Sequence, residues 1–262
     1  MQASTLTARQ VEIAEIVRTE GFQSTAALAA RFALTEQTIR RDVNELCRQG
    51  LLRRRHGGVE LPAPNLNLGI EQRRVLQFAA KQRVARLAAA RIPHGASIAV
   101  SIGTTPEIVL RHLQHHRGLR IVTNSIAAAL TAMGLPDAEV TIAGGRLRPE
   151  GWDVLGEQAE RMFAAHKVDI GLFGVGGVDS DGCLLDFAEE EIRARAAIAA
   201  NCRTSFLVLD HSKFGRPAHV RGGLIADPDV VFCDRAPPPA IARQLAVAGR
   251  ELVVADDAEH AA

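Results

Sequence analysis

Gln37, Arg41, Asn44 and Arg48 recur at intervals of four, three and four residues, so a helix through them lines their side chains along one face. Glutamine and asparagine donate and accept together, which matches the edge of adenine, while arginine offers two donors that match guanine. Such a row is chemistry for reading bases in a major groove, with Gln37, Arg41 and Asn44 as the base readers. Thr38 and Arg40 fall on its flanks, where they suit phosphates, which set register without reading sequence. A second basic group follows at Arg53, Arg54, Arg55 and His56. From Gln37 to Gly58 six arginines stand against two acids, Asp42 and Glu45. On a chain whose net charge is only +1, that is a local electrostatic footprint for nucleic acid.

Another group of residues suits an anion. In Ser101-Ile102-Gly103-Thr104-Thr105-Pro106-Glu107 an apolar strand runs into a glycine turn, hydroxyls that can cap, and a proline suited to a first helical turn. A helix N-terminus there presents N–H groups to a phosphate, although an ordinary Thr-Pro helix start uses the same residues. Other expected strand ends carry Thr123-Asn124-Ser125, Gly144-Gly145, Gly174 to Gly177 and Asp210-His211-Ser212-Lys213. Small residues leave room, and Asn, Asp and Lys bind hydroxyls and phosphate, so convergence of these ends points to a ligand cleft. Neither a completed dinucleotide fingerprint nor a Walker loop is present, and no cofactor is expected. Asp179, Asp181 and Asp186 could suggest a metal site, but Val-Asp-Ser-Asp-Gly reads as a turn around Gly182. The Glu189–Glu191 run reads as a solvated helix start, and Trp152 either covers a pocket or packs. An enzyme reading would use Lys213, Asp210 and Glu189 as acid/base groups, but nothing in their spacing fixes the geometry such chemistry needs.

These residues need elements to position them. Thr7 starts a first helix that Gly21 ends, Ser24 or Thr25 caps a second, and Thr35 caps a third that ends before Gly50. In the third, Ile39, Val43 and Leu46 make the buried stripe opposite the polar row. Two short helices joined by a tight turn form a helix-turn-helix, and LLRRRHGGVEL reads as a hairpin wing or a simple loop. Beyond it, strands at 97–100, 120–123, 140–143, 169–175, 205–209, 230–233 and 252–254 alternate with helical patterns, which predicts a mostly parallel α/β sheet. The expected domains are a winged helix-turn-helix at 1–61, a linker at 62–75 and a sensing α/β domain at 76–262. No apolar run reaches the ~18 residues of a membrane span and no signal peptide is apparent, so a cytoplasmic protein is expected. Cys47, Cys183, Cys202 and Cys233 are scattered, without metal-ligand spacing; Cys47 alone merits testing as a redox sensor.

TIRRDVNEL followed by HGG, together with GTT, TNS, AGG and the D-x-S-K-F-G run, resembles the signatures of DeoR-type bacterial transcriptional regulators, in order and over nearly the whole chain. IGTTPE, LRIVTN, GVDSDG and DHSKFGR are most similar to the branch that governs glycerol 3-phosphate metabolism. The resemblance implies a winged-helix reader joined to a sensor related to sugar-phosphate isomerases, acting as a homo-oligomer, dimer or tetramer. It further implies a repressor, not an enzyme, released from double-stranded DNA by a phosphorylated metabolite, here sn-glycerol 3-phosphate. Carried over residue by residue, Gly103, Thr104, Thr105, Asn124, Gly144, Gly145 and Lys213 become candidate effector contacts. Ser101 stands where many relatives have Asp, which alters the chemistry available for a hydroxyl. GWDVLGE and DFAEEEIR also depart from the family pattern.

Overall fold

Polar caps define the helices of the first of two compact units, Met1–Phe78. The structure, a computed structural model, describes residues 6–62 and 68–255, apart from the Thr19 side chain. Helix α1 (Ala8–Glu20) starts in a reciprocal box, in which the Gln10 N–H donates to the Thr7 hydroxyl at 3.2 Å and the Thr7 N–H donates to Gln10 Oε1 at 3.0 Å. After strand β1 (Gln23–Ser24), Ser24 caps α2 (Thr25–Arg31) and Thr35 caps α3 (Glu36–Arg48). Ile13, Val17, Leu28, Ile39, Val43, Leu46 and Val59 are fully buried together. Each contributes about 1.5–3 kcal/mol by leaving water, which fixes α3 with its polar row outward.

The wing is a hairpin of β2 (Arg53–Arg55) and β3 (Gly58–Glu60), and β3 also pairs with β1. Gly58 is required there, because a Cβ would lie 2.1 Å from the Gln23 carbonyl oxygen. Part of the expected linker is helical. Residues 63–67 of it lie outside the described residues, but α4 (Ile70–Val75) forms within it and belongs to the first unit. Gln72 makes the difference: its Oε1 accepts from the Gly69 N–H at 3.1 Å, its amide donates to the Gln49 carbonyl, and Ile70 is buried.

The second unit, Ala79–Ala262, is three layers deep. Its chain runs α5 (Phe78–Ala89), β4 (Ser97–Val100), α6 (Thr104–Arg111), β5 (Arg120–Thr123), α7 (Ile126–Ala132), β6 (Glu139–Ile142), β7 (Leu147–Arg148), β8 (Asp153–Val154), α8 (Glu157–Ala164) and β9 (Val168–Phe173). It continues through β10 (Gly177–Val178), β11 (Cys183–Asp186), α9 (Glu189–Ala200), β12 (Cys202–Leu209), β13 (Val220–Leu224), β14 (Val230–Cys233), α10 (Pro239–Val247) and β15 (Glu251–Val254). Seven strands form one parallel sheet in the order β15-β14-β12-β9-β4-β5-β6. Alternate side chains feed two cores: Ile98, Val100, Leu172 and Val208 pack with α5, α6 and α7, whereas Ala99, Phe173, Leu207 and Leu209 pack with α8, α9 and α10. Two small antiparallel sheets, β10-β11-β13 and β7-β8, are additions the sequence did not foretell. Because β4 comes first and later strands join it on both sides, the order reverses between β4 and β9. Ligands bind beyond the carboxyl ends of strands at such a point. Among the described residues no helix is long and apolar enough to cross a membrane.

Candidate nucleic-acid interface and ligand cleft

On α3, Gln37, Arg40, Arg41, Asn44 and Arg48 are exposed, and Ile39, Val43 and Leu46 lie at 0% exposure behind them. Asp42 turns inward, where its carboxylate accepts from Arg9 Nε at 2.6 Å and Gln10 Nε2 at 3.1 Å. That ties α3 to α1 and leaves the outer face richer in positive charge. Thr38, half-buried, shares its hydroxyl with the Thr35 cap at 3.0 Å, and Arg40 pairs with Glu36 at 3.0 Å. Both belong to the first turn and a half of the helix. The wing arginines and His56 are exposed, and Arg54 donates to Asn44 Oδ1, joining wing to helix. Arg53 and Arg55 hold Glu60 at 2.7 and 2.9 Å. The Arg55 hydrogen bond, with help from Arg53, keeps the Glu60 carboxyl below its usual range. All nine residues predicted for DNA contact therefore fall on α3 or the wing. Burial pushes the half-buried Cys47 thiol up, with Arg54 opposing, so it is not poised as a reactive thiolate.

In the second unit the strand ends that the sequence marked form one row in the sheet order. Adjacent strands are about 4.8 Å apart, so β12 and β6, four intervals apart, span about 19 Å. Lys213 follows β12, Gly103 to Thr105 follow β4, Asn124 follows β5, and Gly144-Gly145 follow β6 at the far end of the row. Gly103 turns at φ +131° into α6, whose first residues Thr104 and Thr105 are buried. Asn124 is fully buried: its Nδ2 donates to the Val154 carbonyl at 2.9 Å, while Oδ1 has no hydrogen bond. A Cβ on Gly145 would come within 2.9 Å of the Val154 side chain; Gly144 stands in open space.

A charged cluster lies at the β12 side. Asp210 is fully buried; its Oδ1 accepts from the Ser212 N–H at 3.0 Å and from the Ser212 hydroxyl, while its Oδ2 accepts no hydrogen bond. Burial opposes its ionisation, but the charges of Lys213 and Lys81 and the Ser212 bonds outweigh it and hold the carboxyl below its usual value. Asp186 accepts from the Gly176 N–H at 2.7 Å and from Arg195 at 2.5 Å, and burial pushes its carboxyl up despite that arginine. Arg216 reaches the Gly176 carbonyl at 3.0 Å and covers the Phe187 ring. Lys81, Arg195 and Arg216 carry no sequence signal beyond ordinary helix or loop arginines and lysines; only the fold brings them to strand ends.

Two smaller groups of residues are also placed here. Asp179 and Asp181 do build a turn, with Gly182 at φ +85°, and among the described residues no group of three or more His, Cys, Asp or Glu is placed to hold a metal ion. The Glu189–Glu191 run is not uniformly solvated: Glu191 is buried and takes Arg148 at 2.8 Å. Arg148 also grips Asp153 through two bonds of 2.9 Å, closing the β7-β8 hairpin. That hairpin lies against the end of β5, where the Trp152 carbonyl accepts from the Ile126 N–H at 2.8 Å.

Comparison with known proteins agrees with this geometry. The DeoR-like helix-turn-helix domain matches residues 9–65, and the DeoR C terminal sensor domain matches residues 76–235. The chain is 43% identical to the glycerol-3-phosphate regulon repressor of Escherichia coli (strain K12), over 91% of this chain and 94% of that protein. It is 38% identical to the repressor of the same name in Haemophilus influenzae, over 87% of this chain and 89% of that one. A ribose 5-phosphate isomerase from Plasmodium falciparum shows a slight structural likeness, at 17% identity and TM-score 0.36 over 51% of this chain and 52% of the isomerase. The exposed row on α3, the basic wing and the α/β sensor are thus those of a known kind of regulator: the chain belongs to the DeoR family of helix-turn-helix transcriptional regulators.

Proposed function

We propose that this regulator is a repressor of glycerol and glycerol 3-phosphate catabolic genes, released from its operator by sn-glycerol 3-phosphate. The observation that carries the effector half is the pairing of a Gly-Thr-Thr helix start, its two threonines buried, with buried polar atoms that have no hydrogen bond, Asn124 Oδ1 and Asp210 Oδ2. An N-terminus of this kind attracts phosphate, and the two acceptors suit donors such as ligand hydroxyls. In this reading the Gly103, Thr104 and Thr105 segment and Lys213 take the phosphate, while Asn124 and the Gly144-Gly145 turn face the polyol. Gln37, Arg41 and Asn44 read bases, and Thr38, Arg40, Arg53, Arg54, Arg55 and His56 contact the backbone of the duplex. A cytoplasmic homo-oligomer, dimer or tetramer, supplies reading heads for repeated half-sites. The repressor names of the relatives support regulation over an isomerase or deaminase carrying a DNA-binding appendage.

Phosphorylated metabolites of three to six carbons, screened by thermal shift, test the effector. A ligand that binds only the folded form raises the melting temperature. Glycerol 3-phosphate is expected to give the largest rise; a response confined to a hexose phosphate would assign a different effector.

A further inference from the structure

Helix α5 opens the second unit, and Lys81 in its first turn belongs to none of the motifs legible in the sequence. Its side chain is 4% exposed, a depth at which lysine needs a charged partner. Its neighbours show where that turn lies. Arg83 donates to Asp234 at 3.3 Å, immediately after β14, and the same carboxylate accepts from the His211 N–H at 2.6 Å and contacts His211 Nδ1 at 2.7 Å. Gln82 meets His112, the C-cap of α6, at 2.5 Å. The Arg83 contact therefore seats the start of α5 near the carboxyl ends of β12 and β14, on the side that carries Asp210 and Lys213, while Gln82 meets the far end of α6.

Lys81 and Lys213 both act on Asp210, whose Oδ2 accepts no hydrogen bond. Both ammonium charges thus favour the same buried carboxylate, which follows β12 on the side where α5 is seated. A phosphate offers three acceptor oxygens: one side can meet the α6 N-terminus, and another can meet both lysines. We propose that Lys81 is a further effector-binding residue, its ammonium joining Lys213 on the phosphate while the buried Asp210 carboxylate balances their charge. The inference rests on the reading of the cleft as a phosphometabolite site. It also has a consequence for regulation. Only two residues separate Lys81 from Phe78, the last residue of the DNA-binding unit, so a ligand engaging Lys81 acts on the turn by which the chain enters the sensor.

Isothermal titration of the full chain tests this, with sn-glycerol 3-phosphate and, as a probe of the phosphate alone, inorganic phosphate. Lys81→Met is expected to weaken both by about tenfold or more, the scale of one charge-assisted hydrogen bond, with operator affinity in the absence of ligand within about threefold of wild type. Lys81→Arg, which keeps the charge, is expected to retain most of the affinity. Should the methionine variant lose operator binding, Lys81→Gln repeats the loss of charge with a polar side chain. Wild-type phosphate affinity in the neutral variants would overturn the assignment, and so would an equal loss in Lys81→Arg, which would mark a packing role. Wild-type protein that binds neither probe would instead overturn the reading of the cleft itself.

Discussion

At the scale of the residue, function rests on which side chains the fold leaves outward and which it buries with unfinished bonding. Arg41 stands exposed midway along α3, between Gln37 and Asn44, and in the proposed reading Arg41→Ala removes one base contact. Operator binding is expected to fall by about 1–3 kcal/mol, with discrimination relaxed at one base position. Arg54→Ala, on the wing, is expected instead to weaken all duplexes alike and to lower the salt slope by about one, because it loses a phosphate. Gel-shift titrations over a salt series separate the two, and identical slopes and specificities for both variants would contradict the division of labour. In the cleft, Lys213→Ala leaves Asp210 with less opposing charge and the phosphate with one fewer cation. A loss of glycerol 3-phosphate affinity of about tenfold or more is expected by calorimetry, with operator affinity in the absence of ligand retained.

At the scale of the element, strands are tied to one another by a repeated Asp-to-Ser device. Asp169 Oδ2 accepts from the Ser97 N–H at 2.9 Å and its hydroxyl at 2.6 Å, and Asp229 does the same for Ser205 at 2.8 and 2.7 Å. The Ser97 bonds hold the Asp169 carboxyl below its usual range. A depressed carboxyl stabilises the fold fully above the unfolded value, about 3.9, and that contribution is lost as pH falls through the lower folded value. Melting curves of wild type and Asp169→Asn should therefore differ at pH 7, with the gap closing below about pH 4; a gap that widened in acid would refute the sign. Gly58→Ala, whose Cβ meets the Gln23 carbonyl, is expected to destabilise the first unit by about 1–3 kcal/mol in denaturant melts and to weaken DNA binding. Much of this architecture was legible in the chain: the parallel strands are apolar runs ending in Gly, Asn or Asp, and Thr7, Ser24 and Thr35 cap where their types predict. The antiparallel additions were not. β10 is only Gly177-Val178, and β13 is Val-Arg-Gly-Gly-Leu, so neither carries a two-residue hydrophobic period. Glu191 and Lys81 were hidden for another reason: each is charged on a helix that reads as solvent-facing, and each is buried where a distant segment brings opposite charge, Arg148 for one and Asp210 for the other.

At the scale of the whole molecule, the chain carries an exposed polar and basic row in one unit and buried charged residues at the strand ends of the other, proposed to read bases and to bind the effector. Regulation requires two states of unequal operator affinity, with the effector preferring the weaker binder. Couplings of this kind are typically about 1–3 kcal/mol, or 5–150-fold. Linkage makes the same coupling visible from either side, so saturating operator should weaken effector binding by the factor that saturating effector weakens operator binding. The most direct measurement is operator affinity at fixed salt, on a duplex selected by the protein from a random pool, titrated with sn-glycerol 3-phosphate. The expected result is a saturable fall of about 5–150-fold that inorganic sulfate at equal ionic strength does not reproduce. An operator affinity that stays constant while calorimetry shows the cleft occupied would contradict the account.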